Sequence, residues 1–477
     1  MIGAKSFTIE GSDLMKGMSS SAYINDGGFS QGGTSKTVIN PIAVPGLLHA
    51  PGAVTDKSTN LVGEMIASCE DPLQGNSRLL LARDSSTQDG TFYYMDSNGA
   101  LTLKRTDSTN NYIFGKTDMA GYKSEVYATS AEAITRWVPD TTFNVAFFTF
   151  SDSAAPHPIL VYEDAIYYGD GNLLLRQTDS GGATPATILT LPSNQVIIAL
   201  GIDPGSGKIL ISIVDELNGS NTINAQASVG YYDGFSNKLT KKVNVDDMVT
   251  AFYTTISNVF VTYGQNLGYW NGAGIQFLRK LDLSFDNTVL AYKHHITNIG
   301  RILYVIEKTN ILAYGEIVKG QGEVFWYALR NDAGDSGNYS MITNIGQNRL
   351  GLGFATTKFY TFDTMSVSAV KNGGAIWYSH RYDFDKPVTY MTTLIEYTSA
   401  IPSNDNIASL YLISDTGEAN ATNVGTVTAT RTGQLVFEAN YPDIETRSMQ
   451  LRYTIAPGTL SNVFPVKRFT VFYTPKE

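Results

Sequence analysis

Short apolar runs separated by Gly, Asn and Asp turns set the pattern of this chain. No stretch sustains the period of an amphipathic helix, so strands are predicted throughout. The pattern is clearest between Thr255 and Asp363, where one phrase is written three times. Ile256-Ser257-Asn258-Val259 leads into Phe260-Val261-Thr262-Tyr263. Forty residues later Ile296-Thr297-Asn298-Ile299-Gly300 leads into Ile302-Leu303-Tyr304-Val305-Ile306. After forty-six more, Ile342-Thr343-Asn344-Ile345-Gly346 leads into Leu350-Gly351-Leu352-Gly353-Phe354. Such a period, with several short β-runs in each unit, predicts the blades of a β-propeller. In Ile302–Ile306 both faces of the strand are apolar, which fits a sheet stacked between neighbouring sheets. A β-sandwich or prism is the alternative for such strands; the repeat spacing favours the propeller.

A second phrase, an aromatic pair followed by a turn and an aliphatic strand, also recurs. It reads Tyr93-Tyr94 before Leu101-Thr102-Leu103, and Tyr167-Tyr168 before Leu173-Leu174-Leu175. It returns as Tyr231-Tyr232 and Tyr269-Trp270, with a fainter copy over Tyr127 to Trp137. Residues 61–372, divided by roughly 40–45 per blade, give about seven blades, within a range of six to eight. The phrase stops near Lys371-Asn372-Gly373-Gly374, and the later strand-like runs suffice for a small C-terminal β-sandwich. Residues 1–60 read as an extended N-terminal arm. Ser19 to Ser35 is Ser/Gly-rich, and Ile39 to Gly46 and Pro51-Gly52 carry Asn-Pro and Pro-Gly turn signals. The expectation is an all-β chain: arm 1–60, propeller 61–372, sandwich 373–477. The arm would lie on its own propeller or, the preferred reading, reach a neighbouring subunit.

Composition agrees with this picture: 28 Tyr, 22 Phe and 44 Gly stand against only 16% charged residues in 477. The net charge of -10 argues against a general nucleic-acid binder but suits a wall that DNA slides past. A single cysteine, Cys69, excludes an intramolecular disulfide framework and reads as a small buried hydrophobe, fitting synthesis in a reducing cytoplasm. No apolar run is long enough for a membrane span, and Met1 to Ser6 lacks the apolar core of a signal peptide.

Candidate chemistry is sparse. Gly201 to Lys208 looks like a phosphate loop, but Ile209 stands where Ser or Thr is needed and a strand follows, so a hairpin turn is expected. Gly334-Asp335-Ser336-Gly337 is similar to a serine-protease nucleophile loop yet sits in a polar stretch of the repeats. His49, His157, His294, His295 and His380 make no zinc spacing, and His294-His295 would point to opposite faces of a strand. Ser86 to Phe92 resembles the Asp-box turn of sialidase propellers, a structural turn, and the paired carboxylates of a glycosidase are not evident. Asp164 and Asp170 are candidates for a calcium loop without a fixed spacing. Tyr93, Tyr168, Tyr232 and Trp270 are the only candidate ligand residues, as a sugar-stacking row. Because they recur in register with the repeat, they read better as packing between blades. No catalytic residue, cofactor or metal is expected, and the chain reads as a non-enzyme.

The arm with "INPIAVPGLLHAPG", blades of the type "HPILVYEDAIYYGDGNLLLRQ" and the closing "VFPVKRFTVFYTPKE" together resemble structural tail proteins of tailed bacteriophages. The likeness is to the propeller-bearing hub or nozzle proteins of short-tailed phages, and lies in size and in the order arm, propeller, sandwich. The resemblance implies a virion subunit, made in the host cytoplasm and set in an oligomeric ring in the tail or neck. Its implied partners are copies of itself, a portal-side adaptor, and tail fibre or needle proteins, with DNA passing without sequence-specific binding and no membrane insertion. The sandwich is short for a complete channel wall. The alternative function is a receptor- or carbohydrate-binding propeller at a tail tip or particle surface.

Overall fold

The computed structural model of the chain describes residues 4–10, 54–59, 61–73, 78–139, 141–178, 184–215, 226–281, 292–308, 311–317, 324–331, 338–365, 375–379, 381–398, 408–415, 417, 421–427, 436–455 and 466–476. Among them strands account for every regular element except one 3₁₀ turn, Lys293–His295. Among the described residues no helix is long and apolar enough to cross a membrane.

Among the described residues seven antiparallel four-stranded sheets form a propeller. Six are built from four consecutive strands each: blade 1 (64–107), blade 2 (119–149), blade 3 (159–190), blade 4 (195–245), blade 5 (249–280) and blade 6 (296–331). Blade 7 is composite. Its inner three strands, Tyr339–Asn344, Arg349–Phe354 and Phe359–Asp363, are completed on the outside by Val54–Asp56 from the other end of the chain. The first strand of each blade faces the central channel and meets the first strand of a neighbour. Local hairpins explain the repeat: each blade is a meander whose strands pair with their sequence neighbours. At the first hairpin of blade 5, however, Ile256-Ser257-Asn258 falls in the turn after the inner strand Val249–Thr254, whereas the two Ile-Thr-Asn copies end their inner strands. Only two of the three copies are therefore equivalent.

The middle strands of the blades are covered on both faces, whereas the outer strands are partly exposed. Leu303, Tyr304, Val305 and Ile306 are all at most 1% exposed, as the two-sided apolar pattern requires. The core is divided by blade boundary. Separate clusters fill the boundaries between blades 7 and 1, 1 and 2, 2 and 3, 3 and 4, and 4 and 5. From blade 5 onward one cluster runs through blades 6 and 7 into the C-terminal domain.

That domain is a sandwich of two sheets joined by one long strand, Val436–Ile455. Its first half pairs with Tyr382–Tyr397, which pairs with Val466–Pro475, and its second half with Ala375–Tyr378 and Ala408–Ile413. Trp377 of one sheet stacks on Phe469 of the other at 5.1 Å. Asp415 pins the crossover, accepting hydrogen bonds from Arg447 N, Ser448 N and the hydroxyls of Thr446 and Ser448. Burial acts to raise the pKa of its carboxyl, but these donors outweigh that and bring it down to about 2.

The arm has a different place from the preferred expectation. Lys5–Glu10 pairs with Val466–Pro475 at the edge of the sandwich, and Val54–Asp56 closes blade 7, so both ends lie on the chain's own domains. The propeller is thus incomplete without residues from the 1–60 segment. The Ser/Gly-rich stretch, Ile39 to Gly46 and Pro51-Gly52 lie outside the described residues, as do the 371–374 junction, Gly334 to Gly337, His49 and His380.

Candidate functional site

The channel is the natural place to look for a propeller site, and here its own chain fills it. The 3₁₀ turn Lys293–His295, between blades 5 and 6, lies against the inner strands of blades 1, 5 and 7. Lys293 Nζ donates to Asp118 at 2.9 Å and to the Ile159 carbonyl at 3.2 Å, and His294 Nε2 lies 3.1 Å from Asp118. Asp118 also accepts from Met119 N and Ile159 N, so its carboxylate is committed on both oxygens. Burial opposes its charge, yet Lys293, His294 and the Ile159 N–H hold its pKa well below the usual carboxylate range. Such a group is a lock, not a general base.

Local backbone makes room for this plug. Gly115 has φ +78, and a Cβ there would lie 2.1 Å from the Tyr292 ring. Tyr292 and His295 in turn pack around Phe114 at 5.1 and 5.4 Å. His295 is fully buried, and desolvation, with the neighbouring His294 charge, brings its pKa down to about 3, so the ring is neutral near pH 7. The sequence pattern predicted a strand here; the pair sits in a tight turn instead, where one ring meets Asp118 and the other the aromatic cluster.

Beyond the plug, side chains of the repeated phrase form a polar girdle. Tyr253 OH donates to Asn298 Oδ1 at 2.5 Å, Asn344 Nδ2 to the Asn298 carbonyl at 2.8 Å, and Ser68 Oγ to Thr343 Oγ1 at 3.0 Å. These bonds join blades 5, 6, 7 and 1 in order. Between girdle and plug lies a cavity of about 270 Å³, lined by Glu70, Arg78, Lys293, His294, Asn298 and Asn344 among others. Arg78 is paired with Glu70 at 3.2 Å. The Ile-Thr-Asn repeat therefore marks the channel wall, a role its periodicity alone did not disclose.

The predicted ligand aromatics are elsewhere. Tyr93, Tyr168, Tyr232 and Trp270 are at most 3% exposed and sit in four different blade-boundary clusters. They are not a surface row for a sugar, and the packing reading describes them. Their register also varies: Tyr168 is on the second strand of its blade, whereas Tyr93, Tyr232 and Trp270 are on the third. Trp270 Nε1 donates to Tyr231 OH at 2.8 Å, which satisfies the one polar atom it buries.

The remaining motifs resolve as turns. Gly201 to Lys208 is a hairpin in which Asp203 accepts from Gly205 N and Ser206 Oγ, with Gly207 at φ +66. Asp84 organises the Ser86 to Phe92 loop by accepting from Ser86 and Thr87. Asp170 is buried and bonded to Ser151 and Asp152 amides, while the exposed Asp164 belongs to another turn, so the two share no cation loop. His157 stacks on Phe150 at 3.7 Å, and burial pushes its pKa down. Cys69 is buried and its thiol is pushed up to about 12 by desolvation. Among the described residues no group of three or more His, Cys, Asp or Glu converges as a metal would require.

No protein-family profile matches the chain, and no curated relative does. Solved propellers are similar in fold. The Dos1 propeller has a TM-score of 0.41 at 11% identity, covering 66% of this chain and 94% of its own. YCF48 from Cyanidioschyzon merolae gives 0.44 at 9% identity, over 65% of this chain and 98% of its own. Sqt1 from Chaetomium thermophilum gives 0.40 at 9% identity, over 65% and 100%. Likeness at this level carries no functional argument.

Proposed function

We propose that this chain is a non-enzymatic structural subunit of a bacteriophage tail, of the hub or nozzle kind, built into a ring with copies of itself. The observation that supports this most is the anchoring of the N-terminal segment. Lys5–Glu10 is the edge strand of the C-terminal sheet and Val54–Asp56 the edge strand of blade 7, so the two described strands of the N-terminal segment both lie at sheet edges. Edge strands carry unpaired backbone groups and are natural joints between subunits. The Lys293–His295 turn lies against inner strands and bonds Asp118 across the channel, so in this reading DNA would pass along a wall made by the ring and not through one propeller. A net charge of -10, repeated around a ring, would keep phosphates off that wall. Portal-side adaptors above and fibre or needle proteins below are the partners this position implies.

The test keeps both anchoring strands. Residues 12–52 are replaced by a Gly/Ser linker of equal length, and assembly is followed with antibody-gold labelling of particles. The expected result is a folded subunit, label at the tail or neck for the natural chain, and no incorporation of the replaced one. Normal incorporation of the replaced chain would sink the lacing role, and absence of label from particles would sink the virion role.

The second reading, a receptor- or carbohydrate-binding propeller, is favoured by one feature: Phe235, 86% exposed, stands at a charged groove between blades 3 and 4.

A further inference from the structure

The groove between blades 3 and 4 has a volume of about 230 Å³. That is below the ~300–1,000 Å³ of sites for drug-sized ligands, which limits an occupant to about one ring. Its side chains come from hairpin turns and strand ends of both blades: Tyr162, Glu163, Tyr167, Arg176, Lys208 and Phe235.

Arg176 is half-buried on the strand Leu173–Gln177. Its guanidinium lies over the buried Tyr167 ring at 5.9 Å. The buried Nε has no hydrogen-bond partner, and among the described residues no carboxylate pairs with this side chain. The buried Nε is out of reach of a ligand, but among the described residues nothing accepts from the terminal nitrogens of this half-buried side chain, which leaves them to an acceptor from outside the chain. Lys208, also half-buried, bonds the Thr240 hydroxyl at 3.2 Å and no other group among the described residues. Among the described residues the two acids of the groove, Glu163 and Asp233, form no ion pair with either cation, although both carry a negative charge. Asp233 Oδ1 is occupied by Phe235 N, Ser236 N and Ser236 Oγ. Glu163 is exposed at the mouth, where solvent screens it.

We infer that this groove binds a sugar bearing a carboxylate. The terminal nitrogens of Arg176 would take the carboxylate as a two-pronged pair, and Lys208 adds a second positive charge. Phe235 offers an apolar face to the ring, and Glu163 accepts from its hydroxyls. An acidic peptide side chain fits less well: it would engage Arg176 but give Glu163 no donor and Phe235 no flat face. The inference rests on the recognition reading and is independent of the virion role.

The experiment is ligand-observed NMR titration of the full chain with methyl β-glucuronide, methyl β-glucoside and a Glu hexapeptide. The glucuronide is expected to bind at least about tenfold tighter than the glucoside, the scale of one charge-assisted pair. Arg176→Gln should abolish that preference, and Phe235→Ala, at a solvent-exposed position that cannot unfold the blade, should weaken both sugars. Equal affinity for the two sugars, or peptide binding without sugar binding, overturns the proposal. Glucuronide binding that survives both substitutions overturns the groove but leaves carbohydrate recognition standing. No binding of any saccharide across a glycan array defeats both.

Discussion

Blades 1 to 4 and the region from blade 5 to the C-terminus solve the same packing problem differently. In the first, each blade boundary has its own apolar cluster, as between blades 2 and 3 or 3 and 4. In the second, blades 5, 6 and 7 share one cluster with the sandwich, which also holds Ile9 from the N-terminal strand. A cavity in a separate cluster is confined to one boundary, whereas a cavity in the shared cluster is felt by two domains and both chain ends. The side of the molecule that carries the sandwich is therefore the mechanically coupled one, and the blade 3–4 side is free to carry a surface groove.

The largest test of this contrast is Trp377→Ala, which removes a ring 2% exposed that is stacked on Phe469. It should cost about 5 kcal/mol, the upper end for buried aromatics, with amide exchange rising in blades 6 and 7 as well as in the sandwich. Exchange confined to the sandwich would break the idea of a shared core. Trp270→Ala, in the separate cluster of blades 4 and 5, should cost about 3–4 kcal/mol with exchange rising only there. Because that residue is internal, such a variant measures packing and not ligand binding.

Asp118→Ala leaves Lys293 and His294 without their acceptor. With Lys293 39% exposed, a loss of about 2–3 kcal/mol is expected in urea unfolding, on the low side for breaking a buried pair. Gly115→Ala should unseat the same plug through the Tyr292 clash and share most of that loss. The pH dependence follows from His295. Its folded pKa of about 3 lies below the ordinary 6.5, so the unfolded chain binds more protons between those values. Stability should fall as pH drops from 6.5 toward 3, and His295→Phe should flatten that slope. An unchanged slope would assign it to other groups, His157 first. Asp118 works at lower pH: its contribution is complete above the ordinary carboxylate range and is lost only as pH falls below it. The smallest effect is at Phe235→Ala, expected within about 0.5 kcal/mol because the side chain is exposed.

The sequence by itself determined the all-β class and the blade repeat, and bounded the blade count at six to eight, because each blade closes through hairpins between neighbours in the chain. Those pairings write turn residues and apolar runs at a fixed spacing, as in Arg78–Arg83, Gly90–Met95 and Leu101–Asp107. It also marked the aromatics as packing between blades and singled out the Ile-Thr-Asn phrase, though not that this phrase ends on the channel wall. Tertiary structure alone decided the rest. Blade 7 is closed by pairing Thr55 with Thr361, and the sandwich edge by pairing Lys5 with Tyr473. Lys293 finds Asp118 across the channel, and Arg176 faces Phe235 across a blade boundary. These partners are far apart in sequence and share no period, so nothing local encodes them. They meet only because the ring brings its first and last blades, and each blade and the next, into contact.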